Sequence, residues 1–270
     1  MTTPTVAMSI AGSDSGAGAG LQADLKTFAA HGLFGTSAVT ALTAQSTVGV
    51  RSVSAVPADF VLAQIEAVLE DFDVRAVKTG LLATAATIEV VADLAAAGRL
   101  ANLVVDPVMV ASSGHRLLDA DAEQLYAQRL RPHTRVVTPN LYEAGVLLDT
   151  ELRTLADQRD AAKQLAALGP EVVVVKGGHP VEDSGDLAVD IVALDGELLE
   201  LRAPRIDTTH NHGSGCTFAA AIASGLATGT SAIDAVRAAK DYVHRAITGG
   251  ARWDLGAGHG PLDHFEWETR

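Results

Sequence analysis

The sequence predicts an α/β protein with a mostly parallel central sheet and helices on both of its faces. Short valine-rich runs alternate with longer alanine-rich stretches, the pattern of doubly buried strands and the helices that cover them. Aromatic residues make up only 4% of the chain while Ala, Val and Leu abound, which suits helices packed closely on a sheet. Late in the chain the pattern changes: two alternating runs flank Asp195-Gly196, as in a β-hairpin.

In chain order, the strand candidates are 5–12, 35–42, 74–80, 102–108, 135–140 and 171–178. Helical patterns fill 21–31, 58–70, 84–97, 120–129, 141–148 and 155–168 between them. The hairpin pairs 187–194 with 197–204, and two last helices are expected at roughly 214–228 and 231–248. No Pro- or Ser-rich linker, charge block or internal repeat divides the chain, so residues 1–270 are expected to form a single domain.

Composition narrows the function. With 48% hydrophobic and 20% charged residues, the chain can build a sizeable core. Its formal net charge of -13 argues against a surface that tracks nucleic-acid phosphates, though a small anion can still bind in a local pocket. A single cysteine forms neither an intramolecular disulfide nor a multi-cysteine zinc site. The N-terminal residues lack the pattern of a signal peptide, and no apolar run reaches the roughly 18 residues of a spanning helix. A cytoplasmic setting is expected.

Gly12, Gly16, Gly18 and Gly20 lie between the first strand and a helix carrying Gln22, Asp24 and Lys26. Such a turn lets backbone N–H groups approach a ligand, and a helix N-terminus favours an anion. The spacing is not G-x-G-x-x-G, and no acidic residue ends a second strand to complete a dinucleotide fingerprint. None of the five lysines completes a Walker A motif. A plain strand-to-helix turn is the alternative.

Ligands of open α/β sheets bind beyond the carboxyl ends of the strands. There the sequence places Asp106-Pro107-Val108, Thr138-Pro139-Asn140 with Glu143 one turn on, and Lys176-Gly177-Gly178. Asp106, Asn140 and Glu143 are hard oxygen donors suited to Mg²⁺ or its waters, and Lys176 can place a cation beside phosphates. The same residues could simply end a strand or cap a helix.

Gly213-Ser214-Gly215-Cys216 precedes an apolar helical run, so unpaired N–H groups there could form an oxyanion nest. The chain lacks the local signatures of papain-like or caspase-like proteases, and His210, His212 and Cys216 have no recognised structural-zinc spacing. A buried packing cysteine and a thiol beside a phosphoryl-transfer centre remain.

Seven ordered blocks carry a resemblance: AGSDSGAGAGLQADLKTF, TALTAQSTVGV, VKTGLLA, VVDPVMVASSG, TPNLYEA, VVVKGGH and HGSGCTFAAAIA. Over nearly the whole chain they resemble the hydroxymethylpyrimidine/phosphomethylpyrimidine kinases of thiamine biosynthesis, members of the ribokinase-like superfamily. The resemblance implies a ribokinase-like three-layer α/β/α sandwich without a separate lid domain. It implies ATP as co-substrate, Mg²⁺, and two successive phosphorylations, of 4-amino-5-hydroxymethyl-2-methylpyrimidine and then of its monophosphate.

Carried over by residue, Gly12, Asp24 and Gln45 match positions lining the pyrimidine pocket, and Val108 an apolar wall. Asp106 and Glu143 match the metal network, with Asn140 and Lys176 on the ATP side. Gly213, Ser214, Gly215 and Cys216 match the anion hole, Cys216 standing where most ribokinase-like sugar kinases carry an Asp base. The family is expected to carry Met where this chain has Leu81. A thiol at a helix N-terminus is expected to have a depressed pKa and to take the hydroxymethyl proton. A homodimer is expected. The alternatives are a pyridoxal kinase, acting on another small hydroxymethyl heteroaromatic, and a binding protein that has lost turnover.

Overall fold

The computed structural model describes residues 3–109 and 120–267. The end of the VVDPVMVASSG block and the start of the following segment, 110–119, lie outside the described residues. Nine strands form one sheet in the order β3-β2-β1-β4-β5-β6-β7-β8-β9. They are β1 (Val6–Asp14), β2 (Phe34–Ser46), β3 (Gly49–Ala55), β4 (Val74–Thr79), β5 (Val104–Val105), β6 (Val136–Val137), β7 (Val172–Val175), β8 (Leu187–Leu194) and β9 (Glu197–Pro204). From β2 through β7 neighbouring strands run parallel, and β3, β8 and β9 are antiparallel additions at the two edges.

The doubly buried strands divide their side chains by alternation. Val172 and Val174 of β7 enter one core while Val173 and Val175 enter the other; Val104 and Val105, and Val136 and Val137, split the same way. One core is covered by α2 (Ala58–Asp71), α3 (Ala85–Ala96), α5 (Leu141–Leu148) and α6 (Leu155–Ala166). The opposite core is covered by α1 (Gly20–Ala30), α7 (Ser214–Ala227) and α8 (Ala232–Gly250). This is the expected three-layer α/β/α sandwich, and the hairpin β8–β9 extends the sheet.

Three differences from the sequence reading have local causes. The strand expected at 35–42 runs on to Ser46 and returns as β3, an antiparallel edge strand that the parallel pattern did not suggest. The helix expected at 120–129 gives α4 (Ala120–Leu125), then a π-turn at Tyr126–Leu130 and a 3₁₀ turn that opens on Arg131-Pro132. Proline lacks the N–H that would continue an α-helix. The strands expected at 102–108 and 135–140 keep ladder pairing only at β5 and β6. Their remaining residues are freed for the site.

The C-terminal segment is fastened to α7. His264 is buried, its Nε2 lies 3.0 Å from Thr217 Oγ1, and its carbonyl accepts from the Tyr242 hydroxyl at 2.9 Å. Burial, helped by the Lys26 charge, pushes the His264 imidazole down to about 4. The unfolded chain takes up this proton near 6.5, so the stability it contributes is present above that value and is lost as pH falls toward 4. Glu143, raised to about 7, titrates with the opposite sign, its contribution being lost as pH rises through 7. The comparison with His264→Gln separates the two. In urea unfolding, the native chain is expected to lose about 2 kcal/mol more than His264→Gln between pH 7 and pH 5.

Candidate active site

The strand ends that build the site are aligned by register. Thr79 pairs with Val105, Val105 with Val137, and Val137 with Val173, so Gly80, Asp106, Thr138 and the segment after β7 emerge along one edge of the sheet. The chain winds away from β1 in one direction and from β4 in the other, a topological switch point between them. A cavity of about 590 Å³ opens along that edge. It is lined by Gly12, Gln45, Leu81, Asp106, Val108, Asn140, Glu143, Lys176 and Gly213 to Cys216. Every sequence-predicted site residue except Asp24 therefore faces one cleft.

At its centre Lys176 Nζ donates to Asp106 Oδ1 at 2.7 Å, and Thr138 Oγ1 donates to the same oxygen at 3.1 Å. Asn140 caps α5 and forms a capping box with Glu143: the Glu143 N–H donates to Asn140 Oδ1, and the Asn140 N–H donates to Glu143 Oε2. Burial pushes Glu143 up to about 7 against the pull of Lys176, with Asp106 adding to the rise. Burial alone would discharge Lys176; Asp106 and Glu143 reverse this and hold it above its ordinary value. Two buried acids thus share one lysine.

α7 begins beside that group. Gly213 sits at φ +85°, and its N-cap position has no side-chain hydrogen bond. The Ser214 N–H is taken by Asn211 O and that of Thr217 by Gly213 O. Among the described residues the Gly215 and Cys216 N–H groups have no partner, and they form the mouth of the helix dipole. A Cβ on Gly215 would lie 3.1 Å from Lys176 Nζ and 3.5 Å from Asp106 Oδ2, so the bare turn faces the ion pair directly. The expectation for Cys216 is reversed, however. Burial pushes its thiol up to about 11; Lys78 pulls the other way, and Asp24 and Asp106 add to the rise.

The other end of the cleft is built on the glycine-rich loop. Its amides do not point at an anion: Asp14 Oδ1 accepts from Gly16 N–H at 2.8 Å, and Oδ2 from Gly18 and Ala19 at 3.0 and 2.9 Å. Burial opposes ionisation of Asp14, but the hydrogen bond to His212 and those from Ala19 and Gly16 hold it below the usual carboxylate range. His212 Nε2 lies 3.1 Å from Asp14 Oδ2 and 3.0 Å from Gln45 Nε2. Leu81 packs over Gly12, where a Cβ would meet Leu81 Cδ2 at 3.2 Å, and so keeps an apolar wall.

Asp24 is the correction. It is fully buried behind the cleft, where Lys78 Nζ donates to both its oxygens at 2.9 and 2.8 Å and Ser9 Oγ to Oδ2 at 2.5 Å. Every lone-pair direction on that carboxylate is committed inward, because an unpaired buried Lys78 would be far more costly. Burial acts to discharge Lys78, and Asp24 overcomes it, with Cys216 and Asp106 assisting.

A family model described as phosphomethylpyrimidine kinase matches residues 14–263. The chain belongs to the phosphomethylpyrimidine kinase family. A hydroxymethylpyrimidine/phosphomethylpyrimidine kinase of Rhizobium meliloti is 48% identical over 264 residues, 96% of this chain and 97% of the relative. Among solved structures, the ADP complex of Bacillus subtilis pyridoxal kinase superposes with a TM-score of 0.91 at 35% identity, covering 99% of this chain and 100% of that one. Phosphomethylpyrimidine kinase from Clostridium difficile superposes with a TM-score of 0.79 at 37% identity, covering 90% and 99%.

Within this family member, sequence reasoning missed the third part of the cleft. Lys240, Val243, His244 and Ile247 of α8, with Phe218 and residues 203–206, form a slot beyond Lys176. Lys240 Nζ pairs with Asp190 Oδ2 at 2.8 Å, and Asp190 Oδ1 accepts from the Gly177 N–H. Lys240, His244 and Ile247 share one helix face by their i, i+4, i+7 spacing, a signal that does not by itself separate a ligand wall from a packed surface. Asp14 and His212 were also missed, since neither belongs to a recognised motif.

The two glycines flanking the cleft make a direct test. A Cβ on Gly213 would lie 1.9 Å from Gly18 O at a left-handed φ, whereas a Cβ on Gly178 meets nothing within 4 Å. Gly213→Ala is expected to lower unfolding stability by at least about 2 kcal/mol, while Gly178→Ala stays within about 0.5 kcal/mol of the parent in the same urea titration.

Proposed function

We propose that this chain transfers the γ-phosphoryl group of ATP to the hydroxymethyl group of 4-amino-5-hydroxymethyl-2-methylpyrimidine and then to the resulting monophosphate, within one catalytic domain spanning residues 1–270. The observation that carries this reading is the three-part cleft. An amide edge at Gln45, an ion-paired lysine beside a bare helix N-terminus, and a partly apolar slot follow one another in a single cavity. The order suits a flat heteroaromatic acceptor, a transferring phosphoryl group and a nucleotide base.

The roles follow from the chemistry of each group. Gly12, Leu81 and Val108 seat the ring, and the Gln45 amide reads its nitrogen-bearing edge. Lys176 and Asn140 meet the ATP phosphates. Asp106 and Glu143 fit Mg²⁺, because this ion keeps several waters and takes only one or two carboxylates along with phosphate oxygens. Among the described residues no cluster of three or more His, Cys, Asp or Glu side chains is arranged to hold a metal. Bound there, Mg²⁺ would neutralise phosphate charge. The N–H groups of Gly215 and Cys216 stabilise the charge on the moving phosphoryl group.

Cys216 is a thiol, not a thiolate, at neutral pH. In a loose transition state the nucleophile's proton leaves late, so the sulfur receives or guides it only as the new P–O bond forms. The second nucleophile is a phosphate that is already anionic. Cys216→Ala is therefore expected to slow the first phosphorylation by roughly 10²-fold or more and the second much less, in an assay separating mono- from diphosphate. Equal losses in both steps would leave the side chain a positioning role only.

Pyridoxal is the second reading, favoured by the closer superposition on pyridoxal kinase, 0.91 against 0.79. Steady-state turnover of both rings decides: strong pyridoxal phosphorylation without a diphosphate product would favour it. The reading includes a cytoplasmic setting and a homodimer. β3 is a sheet edge with five exposed residues in its seven, and Leu42, Val48 and Val53 are exposed on the same ribbon. An open apolar edge of this kind invites pairing with a second copy. Light scattering is expected to give a dimer mass for the native chain and a monomer mass for a Leu42→Lys/Val53→Lys variant.

A further inference from the structure

The inference starts from one atom with two neighbours, and it rests on the reading of Gln45 as the residue that meets the substrate ring. His212 Nε2 lies 3.1 Å from Asp14 Oδ2 and 3.0 Å from the Gln45 amide nitrogen. A ring nitrogen either carries a hydrogen or offers a lone pair, so it cannot donate to the carboxylate and accept from the amide together. Asp14 decides between them. Its two oxygens already accept three backbone N–H groups, which makes it an ionised, acceptor-only partner. A bare Nε2 would set its lone pair against that charge, so Nε2 carries the hydrogen and gives it to Asp14.

The consequence falls on Gln45. An N–H directed at this point repels an amide NH₂ and favours a carbonyl oxygen. A half-turn of the amide exchanges the two at nearly the same positions. The rest of Gln45 is fixed: it sits at a register shift between β2 and β3, and Ser15 Oγ donates to its carbonyl and accepts from its N–H. The imidazole is fixed too. A Cβ on Gly18 would lie 2.4 Å from its Cδ2, and the His212 N–H donates to Gly260 O.

We propose that His212, anchored by Asp14, locks the Gln45 amide with its carbonyl inward and its NH₂ toward the cleft, and thereby sets the donor–acceptor order that the enzyme reads on the substrate ring. His212 is then a positioning residue for specificity. The NH₂ donates to an unprotonated ring nitrogen, and the second lone pair of the carbonyl accepts from the neighbouring exocyclic amine. The corresponding 4-oxo ring, with an N–H and a carbonyl along the same edge, presents the reverse order and is rejected.

The test compares the 4-amino substrate with its 4-oxo analogue in the full-length enzyme, as a ratio of kcat/KM values. The native enzyme is expected to prefer the amino ring by about 10²-fold or more. In His212→Leu, which has no donor, the amide turns freely and the ratio falls by about 10-fold or more, with the change heavier on KM than on kcat. His212→Gln restores an N–H at the reach of Nε2 and keeps most of the ratio. A ratio unchanged in His212→Leu, or lost equally in His212→Gln, would overturn the proposal. Should His212→Leu fail to fold, the His212→Gln ratio alone decides. A native enzyme that phosphorylates neither ring would instead remove the functional reading itself, and this inference with it.

Discussion

An uncapped helix start, buried where the strands of a parallel sheet end, is the constraint that the rest of the site serves. α7 has ten buried residues in its fourteen, and its alanines let it lie against the middle of the sheet. With that much apolar surface committed, its first turn is held at a fixed depth. No side chain caps it, and two of its amides are left for a ligand. The glycines on either side follow from this placement. Gly213 must be left-handed to start the helix against the Gly18 carbonyl, and Gly215 must be bare to meet Lys176 and Asp106.

Charge along the same edge is arranged in pairs. Asp24–Lys78, Asp106–Lys176 and Asp190–Lys240 place three of the five lysines against buried aspartates. The pairs are not equivalent. The first is closed to the cleft and committed to itself, the second lies open to the phosphate position, and the third pins the Gly177 backbone beside it. Pairs of this sort add little net stability over apolar packing, but removing one partner leaves an uncompensated charge worth several kcal/mol. They fix positions rather than strengthen the fold.

Much of this was legible in the sequence, and what was not has physical reasons. Doubly buried strands announce themselves as valine runs, and the residues that follow them fall at the carboxyl edge whatever the details of packing. Asp106, Asn140, Glu143 and Lys176 were found that way. β3 escaped because an exposed edge strand carries no apolar run, only weak alternation. Asp24 was misplaced because sequence position says which turn a carboxylate is on and not which way it points. Lys78, two strands away in space, turns it inward. The Cys216 thiol was misjudged for a related reason. A helix N-terminus lowers a thiol pKa, but burial among carboxylates acts more strongly here. Asp14 and His212 depend on a contact 198 residues apart, which no local pattern encodes.

The passage 256–261 has a consequence for when this enzyme becomes competent. Gly256 and Gly258 close on Thr47 in the turn between β2 and β3, the His259 N–H donates to Thr47 O, and Gly260 O accepts from His212. The two walls that bring Gln45 and His212 together are thus tied by almost the last residues to leave the ribosome. The sheet can assemble during synthesis, N-terminal elements first. The substrate end of the cleft is completed only after translation ends.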